Sequence, residues 1–307
     1  MIRLDHREPM PASLRGAILA LGNFDGFHLG HQAVVGEALR WAAEDGRPCI
    51  IATFDPHPVR HFKPDTPPFR LTTLDQREEI FAAAGADAML VFHFDAAMAS
   101  QPAESWVETM VCGHIGAAGV VTGEDFTFGK GRGGSPALLR QHGVATRAMP
   151  AVHAEGAPVS SSRIRTALRE GDCALATRLM TRPFAIRGIV QHGDKVGRTI
   201  GFPTANLDMG SYLRPHYGIY AITGQLPDGR MVHGAANLGI RPTFDPPKEL
   251  LEPHFFDFSG DLYGQEIEVA FHHFLRGEAK FDSLDDLTAQ MERDCQQARA
   301  LLGQVQD

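Results

Sequence analysis

Two histidines three residues apart are the first side chains whose type and spacing could do chemistry. His28 and His31 close the segment GNFDGFHLGH, residues 22–31, which also contains three glycines, Gly26 among them. The segment follows an apolar run and precedes a helical pattern, so its backbone N–H groups could face a phosphate. Imidazoles there could donate hydrogen bonds to the α-phosphate of a nucleotide as negative charge grows during transfer. The pattern therefore indicates nucleotidyl transfer.

The same two histidines have other interpretations. They could be partly buried polar groups of a loop, or two ligands of a zinc site completed by Asp55 or His57. A further ligand at a matching spacing is missing, which weighs against zinc. The position after a strand and at the start of a helix favours nucleotidyl transfer.

Three further polar segments fall in the first part of the chain. TFDPHP, residues 53–58, and TGEDFTFGKGRGG, residues 122–134, each follow a predicted strand. VSSSRIRTALREG, residues 159–171, opens a helix with hydroxyl groups and with Arg165 in its first turn, which suits a pyrophosphate leaving group. Each segment also fits a surface turn or a helix cap, so none of them decides the function alone.

A second candidate site lies in GDKVGRTIGFPTANL, residues 193–207. Its glycines, with Lys195 and Arg198, could fold over a polyphosphate, although the spacing is not that of a Walker A sequence. Thr204 and Asn206 are two residues apart in an extended segment and would point to the same side. Their oxygens suit Mg²⁺. A Pro-Thr turn capped by asparagine is the other interpretation.

Glu252, in the predicted strand LLEPHFF, could act on a hydroxyl group that receives a phosphate. It stands among apolar residues, where a carboxylate is costly unless it has a role. A glutamate on the solvent face of a barrel strand also fits this pattern. Pro253 follows it and predicts an edge position or a bulge, because proline cannot donate to a strand ladder.

Composition limits the class of protein. A chain of 307 residues predicts two domains, and 43% hydrophobic with 21% charged residues is typical of globular proteins. The net charge of -8 argues against a nucleic-acid partner. Four scattered cysteines argue against a disulfide framework, and no apolar run approaches the roughly 18 residues of a membrane span. We therefore expect a cytoplasmic protein without a membrane partner.

Alternating strands and helices must position the first site. Apolar runs predict buried strands at 17–22, 49–54, 88–94 and 119–123. Helices are expected to begin near His31, Thr73, Pro102 and Ser135. Thr73 and Gln76 form a capping box, and Gly85 should end that helix. This alternation predicts a mostly parallel sheet with helices on both faces and ligands at the carboxyl ends of its strands.

From Arg182 and Pro183 onward the pattern becomes strand-like. YGIYAITGQ and RMVHGAANLG flank the turn at 226–229, and LLEPHFFDF and EIEVAFHHFL follow, which predicts an antiparallel sheet or barrel. A last helix should begin at Ser283 and pack on this barrel. Its apolar stripe consists of Leu284, Leu287, Met291, Cys295 and Ala298.

Taken together, these segments resemble the prokaryotic bifunctional riboflavin kinase/FAD synthetase family over nearly the whole chain. GNFDGFHLGH, TFDPHP, GEDFTFG and SSSRIR are similar to its N-terminal FMN adenylyltransferase module. GDxxGRxxGFPTANL, YGIYA, NLGIRPTF, LExH, DLYG and R-x-E-x-KF resemble its riboflavin kinase module. The resemblance implies an α/β Rossmann-like nucleotidyltransferase domain with a parallel sheet, residues 1–182. An antiparallel β-barrel kinase domain with a C-terminal helix, residues 183–307, would follow.

The resemblance also implies roles for residues of the first module. The catalytic residues would be His28, His31 and Arg165. The ATP contacts would be Asn23, Gly26, Asp125, Ser161 and Ser162. The flavin contacts would be Phe54, Asp55, Pro56, Phe126 and Phe128. Ser162 replaces a threonine that is more frequent in the family, and the hydroxyl group is kept.

In the kinase module the resemblance makes Glu252 the general base and Thr204 and Asn206 the ligands of Mg-ATP. The other ATP contacts would be Gly193, Lys195, Gly197, Arg198 and Thr199, and Arg276 would contact the flavin. Gly277 departs from the family, which commonly has a larger residue at this position.

The function implied is phosphorylation of riboflavin to FMN with Mg-ATP, followed by adenylylation of FMN to FAD with release of pyrophosphate. The partners would be small molecules, and the protein a monomer or weak homo-oligomer. H-x-G-H alone does not name the acceptor, so another phosphorylated alcohol is an alternative, against which PTAN and Glu252 argue. A sensor that binds flavin or nucleotide without turnover is a second alternative, although it would not need His28, His31 and Glu252 together.

Overall fold

The computed structural model describes residues 1–192, 202–241 and 248–303. Its internal contacts divide the chain into two compact units. The N-terminal unit contains Met1–Pro67 and Thr73–Ser160, and the C-terminal unit contains Pro68–Thr72 and Ser161–Asp307. Within the described ranges, every helix is too short or too polar to cross a membrane.

The N-terminal unit contains eight named strands and six named helices within its described residues. The strands are β1 Ile2–Asp5, β2 Ile18–Leu21, β3 Cys49–Asp55, β4 Ala88–His93, β5 Gly119–Gly123, β6 Ala145–Met149, β7 His153–Ala154 and β8 Ala157–Pro158. The helices are α1 Leu29–Asp45, α2 Pro58–Phe62, α3 Leu74–Ala84, α4 Ala96–Ser100, α5 Ala103–Trp106 and α6 Pro136–Gln141. A π-helical segment, Val107–Ile115, continues α5.

Six of these strands form one parallel sheet in the order β1-β4-β3-β2-β5-β6. Side chains alternate between its faces, so Ile18 and Ala20 pack with α1 while Leu19 and Leu21 pack with α5. Helices therefore cover both faces, which confirms the predicted α/β class. The strand order reverses at β2 and β5, and in such sheets the crevice at the carboxyl ends there is the usual ligand site.

Most of the predicted elements of this sheet are confirmed. Helix α3 begins after Thr73 with the complete capping box to Gln76 and ends at Gly85 in the left-handed conformation. Strands β1 and β6 were not predicted. They lie at the two edges of the sheet and carry charged residues such as Arg3 and Arg147, so they lack the continuous apolar run of a central strand.

The C-terminal unit begins with two helices and continues as a barrel. Its helices are α7 Ser161–Arg169, α8 Cys173–Met180 and α9 Leu284–Leu302. Its strands are β9 Phe184–Ile189, β10 Leu207–Asp208, β11 Gly218–Gln225, β12 Met231–Arg241, β13 Lys248–Phe255 and β14 Glu266–Arg276. The antiparallel sheet has the order β10-β13-β12-β11-β14-β9, and an antiparallel bridge between Gln191 and Asn206 joins its two ends.

The predicted C-terminal helix packs on this barrel, with Ser283 as its N-cap. Ala298 and Leu302 lie buried against Ala221 and Ala235 of the sheet. The predicted apolar stripe is wrong for Leu284, which is 57% exposed. It occupies the first helical position, before the helix reaches the barrel surface.

Pro253 is accommodated in β13 without interrupting the pairing with β12, whose register runs continuously past Ala236 and Pro253. The carbonyl of Pro253 accepts a hydrogen bond from Ala205 N at 2.9 Å, on the other side of the strand. In antiparallel pairing the N and O of one residue point the same way, so the missing N–H faces Ala205. The proline therefore removes no bond between the two long strands, and the predicted bulge is not what accommodates it.

Helix α1 packs on the sheet through Trp41, whose indole lies over Gly119 at the start of β5. A Cβ atom at Gly119 would lie 2.3 Å from the ring. Arg147 covers the ring, with its guanidinium carbon 4.1 Å from the centroid, and Trp41 Nε1 donates to Asp45 at 3.0 Å. The absence of a side chain at residue 119 is therefore what allows this helix to approach the sheet.

We expect Gly119→Ala to lower the free energy of unfolding of the N-terminal unit by about 1–3 kcal/mol, because the methyl group overpacks the Trp41 contact. Both tryptophans of the chain, Trp41 and Trp106, belong to this unit, so urea unfolding followed by tryptophan fluorescence reports on it. The matched control is Gly36→Ala on α1, where a Cβ meets no atom within 4 Å. The control should stabilise the unit by roughly 0.5–1 kcal/mol. Equal midpoints for the two variants would contradict this packing.

Candidate active sites

The loop between β2 and α1 holds the H-x-G-H residues in a defined conformation. Phe24, Gly26 and Phe27 have φ values of 50°, 83° and 39°, all in the left-handed region. Only Gly26 adopts such an angle without strain, so the surrounding contacts must hold the two phenylalanines. Phe24 is 1% exposed and Phe27 is 7% exposed, and both rings contact Phe81 of α3.

His28 and His31 lie side by side at the start of α1. His28 is the N-cap, and its Nδ1 accepts a hydrogen bond from His31 N at 3.4 Å. The two rings stack with centroids 3.6 Å apart and planes 19° apart. A Cβ at Gly30 would lie 3.2 Å from the His28 ring, so glycine gives this ring its room. The predicted pairing of the two imidazoles at a helix N-terminus is confirmed.

The first polar group of the loop, Asn23, is tied to the end of β3. The Asn23 carbonyl accepts from the Thr53 hydroxyl at 2.8 Å and from Arg77 Nη1 at 3.2 Å. Arg77 also donates to the Thr53 hydroxyl at 2.8 Å and lies 3.9 Å from Asp55. The Oδ1 atom of Asn23 is buried and has no hydrogen-bond partner in the described part of the chain. The fold thus uses the main-chain carbonyl of Asn23, while its side-chain oxygen is not bonded within the described part of the chain.

The segment 53–58 joins the end of β3 to α2. Asp55 is half-buried at the end of β3, and Pro56 follows it in the cis conformation. His57, an alternative zinc ligand in the sequence, caps α2 by accepting from Val59 N at 3.2 Å. The described ranges contain no cluster of three or more His, Cys, Asp or Glu side chains that could hold a metal ion.

The aromatic residues expected to contact flavin differ in exposure. Phe54 and Phe128 are each 7% exposed and belong to the core on the α5 face of the sheet. Phe126 is half-buried, with its centroid 6.0 Å from that of Phe128. Asp125 is exposed in the turn after β5. Of the three phenylalanines only Phe126 offers much surface to a ligand. Flavin contact for the phenylalanines and ATP contact for Asp125 stay predictions.

In SSSRIR, Ser160 is the last residue of the N-terminal unit, and the residues from Ser161 onward belong to the C-terminal unit by their contacts. Ser161 and Ser162 are the first two residues of α7 and Arg165 is the fifth, whereas the sequence placed the serines before the helix and Arg165 in its first turn. Arg165 Nε donates to the carbonyl of Phe69 at 2.9 Å, and its guanidinium lies 5.2 Å from the centre of the Phe69 ring. Phe69 thus fixes the orientation of Arg165.

A cavity of about 430 Å³ lies between the barrel and α9. It brings together three residues singled out in the sequence, Thr204, Glu252 and Arg276. Apolar walls come from Phe202, Ile219, Ala235, Phe281, Leu287 and Met291. Of the predicted phosphate contacts, Gly193, Lys195, Gly197, Arg198 and Thr199 lie outside the described residues.

Two asparagines of the barrel have buried oxygens without a hydrogen-bond partner among the described residues; Asn237 lines the cavity, whereas Asn206 does not. Asn206 is 5% exposed, and its Oδ1 has no hydrogen-bond partner among the described residues. The same holds for Oδ1 of Asn237, which lines the cavity opposite Glu252 in the register of β12 and β13. A buried oxygen of this kind is costly unless a ligand, ion or water satisfies it.

Arg276 is fixed by the last helix rather than free in the cavity. Its guanidinium makes a bidentate pair with Asp294 of α9, with bonds of 3.0 Å from Nε and 2.7 Å from Nη2. Asp294 is 4% exposed and also accepts from Gln290 at 2.8 Å. This network holds α9 against β14, and any contact of Arg276 with flavin stays a prediction.

A second carboxylate of β13 is also committed to the fold. Glu249 accepts from Arg214 Nε at 2.6 Å and from the Tyr217 hydroxyl. Burial opposes ionisation of Glu249, but these two hydrogen bonds and the Arg214 charge outweigh it and lower its pKa. Burial, with the neighbouring carboxylate, raises the pKa of Tyr217 to about 12. Glu249 is therefore an ionised, structural carboxylate.

Three functional candidates did not emerge from the sequence. Arg77 looked like an ordinary charge in a helical pattern, and only its 3% exposure distinguishes it. Asp294 stood within the polar residues of α9. Asn237 lies in the motif NLGIRPTF, which carried the resemblance but gave this residue no role. Motif position could have identified Asn237, whereas the other two depend on tertiary contacts.

Comparison with known proteins assigns a family to each half of the chain. The family model for FAD synthetase matches residues 10–163, and that for riboflavin kinase matches residues 180–302. A bifunctional riboflavin kinase/FMN adenylyltransferase of Haemophilus influenzae is 38% identical over 94% of this chain and 94% of its own length. A protein of the same description from Bacillus subtilis is 37% identical over 92% of this chain and 91% of its own.

A crystal structure described as a macrolide-efflux protein from Streptococcus pneumoniae has the same fold. It superposes with a TM-score of 0.87 and 29% identity, and the match covers 96% of this chain and 97% of that one. The order of the two family models agrees with the order of the parallel sheet and the barrel. The chain belongs to the family of bifunctional riboflavin kinase/FMN adenylyltransferases, with its FAD synthetase domain first and its riboflavin kinase domain second.

Proposed function

We propose that His28 and His31 carry out the adenylyl transfer of this bifunctional enzyme and that Glu252, with Thr204 and Asn206, carries out the riboflavin phosphorylation. The observation that supports the first assignment is the stacked pair of imidazoles at the N-terminus of α1. The second assignment rests on the shared cavity of Thr204 and Glu252.

In the first reaction a phosphate oxygen of FMN attacks the α-phosphorus of ATP, and the bond to the β-phosphate breaks to release pyrophosphate. His28 Nδ1 accepts the N–H of His31, which assigns the proton of a neutral His28 ring to Nε2. His28 Nε2–H is then a donor for the α-phosphate oxygen, whose negative charge is greatest in the transition state. His31, stacked on it, supplies the second donor. The N-terminus of α1 adds its free N–H groups to the same anion.

Contacts to the leaving group and the flavin complete this first proposal. Ser161, Ser162 and Arg165 would bind the pyrophosphate through hydroxyls and a guanidinium. Asn23 and Gly26 would contact the ATP phosphates, and the flavin contacts would be those inferred from the family resemblance.

In the second reaction Glu252 accepts the proton of the ribityl 5'-hydroxyl as that oxygen attacks the γ-phosphorus of ATP, and ADP leaves. Thr204 and Asn206 fit Mg²⁺, because they offer a hydroxyl and a buried amide oxygen with no protein partner in the described ranges. Bound there, Mg²⁺ would neutralise charge on the ATP phosphates. The apolar walls of the cavity would exclude water from the transferred phosphoryl group.

We further propose 1–182 and 183–307 as the two domains, a cytoplasmic location, and a monomer or weak homo-oligomer. The boundary between residues 182 and 183 falls next to Phe184, where the first barrel strand begins. By internal contacts, α7 and α8 group with the barrel instead, and residues 164–179 lie between the two family matches.

The test of the bifunctional assignment is a time course with purified protein, riboflavin, ATP and Mg²⁺, analysed by chromatography. We expect FMN to form first and FAD to follow, because FMN is the product of the kinase site and the substrate of the histidine site. FMN without FAD, even when FMN is supplied directly, would contradict the role assigned to the histidine loop.

We expect His28→Ala and His31→Ala each to lower kcat for FAD formation by about 100- to 1000-fold, because each removes a donor to the transition state. FMN formation by the same preparations should stay near the wild-type rate, which also controls for folding of the barrel. A folded variant that loses both activities would argue against separate sites.

We expect Gly30→Ala to lower FAD formation by about 10- to 100-fold, because the new methyl group displaces the His28 ring. Gly36→Ala lies on the same helix in open space and should leave FAD formation unchanged. Equal rates for the two variants would show that the ring position at His28 does not matter.

We expect Glu252→Gln to lower FMN formation by about 100-fold or more, because the amide cannot take the hydroxyl proton. FAD formation from supplied FMN should remain. Glu266→Gln, an exposed glutamate on β14, is the matched control and should have no effect. Wild-type FMN formation by Glu252→Gln would reduce Glu252 to a barrel carboxylate.

A further inference from the structure

Arg77 is a buried cation that lies outside all the segments that carry the family resemblance. It lies in α3, is 3% exposed, and follows the capping box that fixes the start of that helix. Burying a guanidinium costs several kcal/mol unless its donors find partners, so its contacts are expected to have a purpose. Those contacts do not stay within the helix.

The guanidinium joins the carboxyl ends of two neighbouring strands. Nη1 donates to the Asn23 carbonyl at 3.2 Å, just after β2, and to the Thr53 hydroxyl at 2.8 Å, in β3. Thr53, 0% exposed, itself donates to the Asn23 carbonyl at 2.8 Å. Asp55 faces Nη2 at 3.9 Å. Hydrogen bonds to a charged group are worth more than neutral ones, so this triangle fixes Asn23 firmly.

The same face of α3 supports the rest of the histidine loop. Phe81 lies four residues after Arg77, on the same side of the helix. Its ring contacts Phe24 at 5.9 Å and Phe27 at 5.4 Å between centroids. These are the two phenylalanines with positive φ, a conformation that persists only where the surroundings enforce it. One face of α3 therefore holds the conformation of the histidine loop, through the cation of Arg77 near the start of the helix and the ring of Phe81 one turn later.

We propose that Arg77 is a positioning residue for adenylyl transfer, holding Asn23 and thereby the loop that carries His28 and His31. It acts through the Asn23 carbonyl and the Thr53 hydroxyl and does not touch the substrate. The inference rests on the proposed function of His28 and His31. Misplacing a reacting group by about 1 Å costs about 100-fold in rate, so the effect belongs in kcat.

The experiment measures kcat and the KM for ATP of FAD formation in the full-length protein with FMN, ATP and Mg²⁺. Arg77→Met keeps the length of the side chain and removes its donors, and we expect kcat to fall about 100-fold with KM changed less than about threefold. Arg77→Lys keeps a charge and some donors and should restore kcat to within about tenfold of wild type. Arg40→Met, an exposed arginine of α1, is the control and should be indistinguishable from wild type.

Thr53→Val tests the same network from its other side, because valine keeps the shape and lacks the hydroxyl. We expect a fall of about tenfold in kcat, and the double variant Arg77→Met/Thr53→Val should be no slower than Arg77→Met, since both act through one set of bonds. Thr53→Val at the wild-type kcat would overturn the proposal, whether or not Arg77→Met folds.

Folding is followed in the same samples by tryptophan fluorescence, which reports on the N-terminal unit, and by FMN formation from riboflavin. A folded Arg77→Met with the wild-type kcat, or with a raised KM alone, would overturn the positioning role. A wild-type protein that forms no FAD would instead remove the proposed function itself, so the two failures are distinguishable.

Discussion

The N-terminal unit is arranged around the buried guanidinium of Arg77, because a guanidinium inside a protein must have its hydrogen-bond donors paired. Arg77 can be buried only because Asn23 and Thr53 reach it from the ends of adjacent strands. That requirement fixes where the chain leaves β2, and Phe81 on the same helix face fixes how it continues. The position of the stacked histidines at the start of α1 therefore depends on α3, a helix that contributes no residue to the H-x-G-H motif.

In the barrel of the C-terminal unit, main-chain hydrogen bonds fix the segment that carries Thr204 and Asn206. The two ends of the barrel sheet meet through Gln191, whose N–H donates to the Asn206 carbonyl at 2.8 Å, and on the other side of the same segment Ala205 N donates to the Pro253 carbonyl of β13. The segment carrying Thr204 and Asn206 is thus held on both sides by main-chain bonds. Glu252, one residue before Pro253, then faces the cavity that Thr204 also lines.

The chain has only three asparagines, and all of them are at these sites. Each of Asn23, Asn206 and Asn237 has a buried Oδ1 with no hydrogen-bond partner in the part of the chain that the structure describes. The main chains of Asn23 and Asn206 are used by the fold, through Thr53 and Gln191. Main-chain bonding without side-chain bonding leaves a rigidly placed oxygen for a ligand, at the cost of desolvating it. The two units reach this arrangement in unrelated architectures.

The sequence by itself determined the class of both units, the helix starts at Thr73 and Ser283, the start of α1 to within a few residues, and the residues of both motifs. These depend on local patterns, such as apolar periodicity, caps and glycines in turns, which can be read along the chain. It also singled out Thr204 and Glu252 as site candidates, because both lie in motifs that can be read along the chain. The sequence did not predict the edge strands β1 and β6, because a strand with one neighbour need not be apolar on both faces.

Only the tertiary structure decided which side chains are committed to the fold. Arg276 and Glu249 are ordinary charged residues in their strand patterns, yet Asp294 and Arg214 hold them in ion pairs. Phe54 and Phe128 are core residues, whereas Phe126 keeps some surface. Burial and pairing arise between residues far apart in the chain, so no local pattern encodes them. Arg77 is the clearest case, because its partners precede it by 24 and 54 residues.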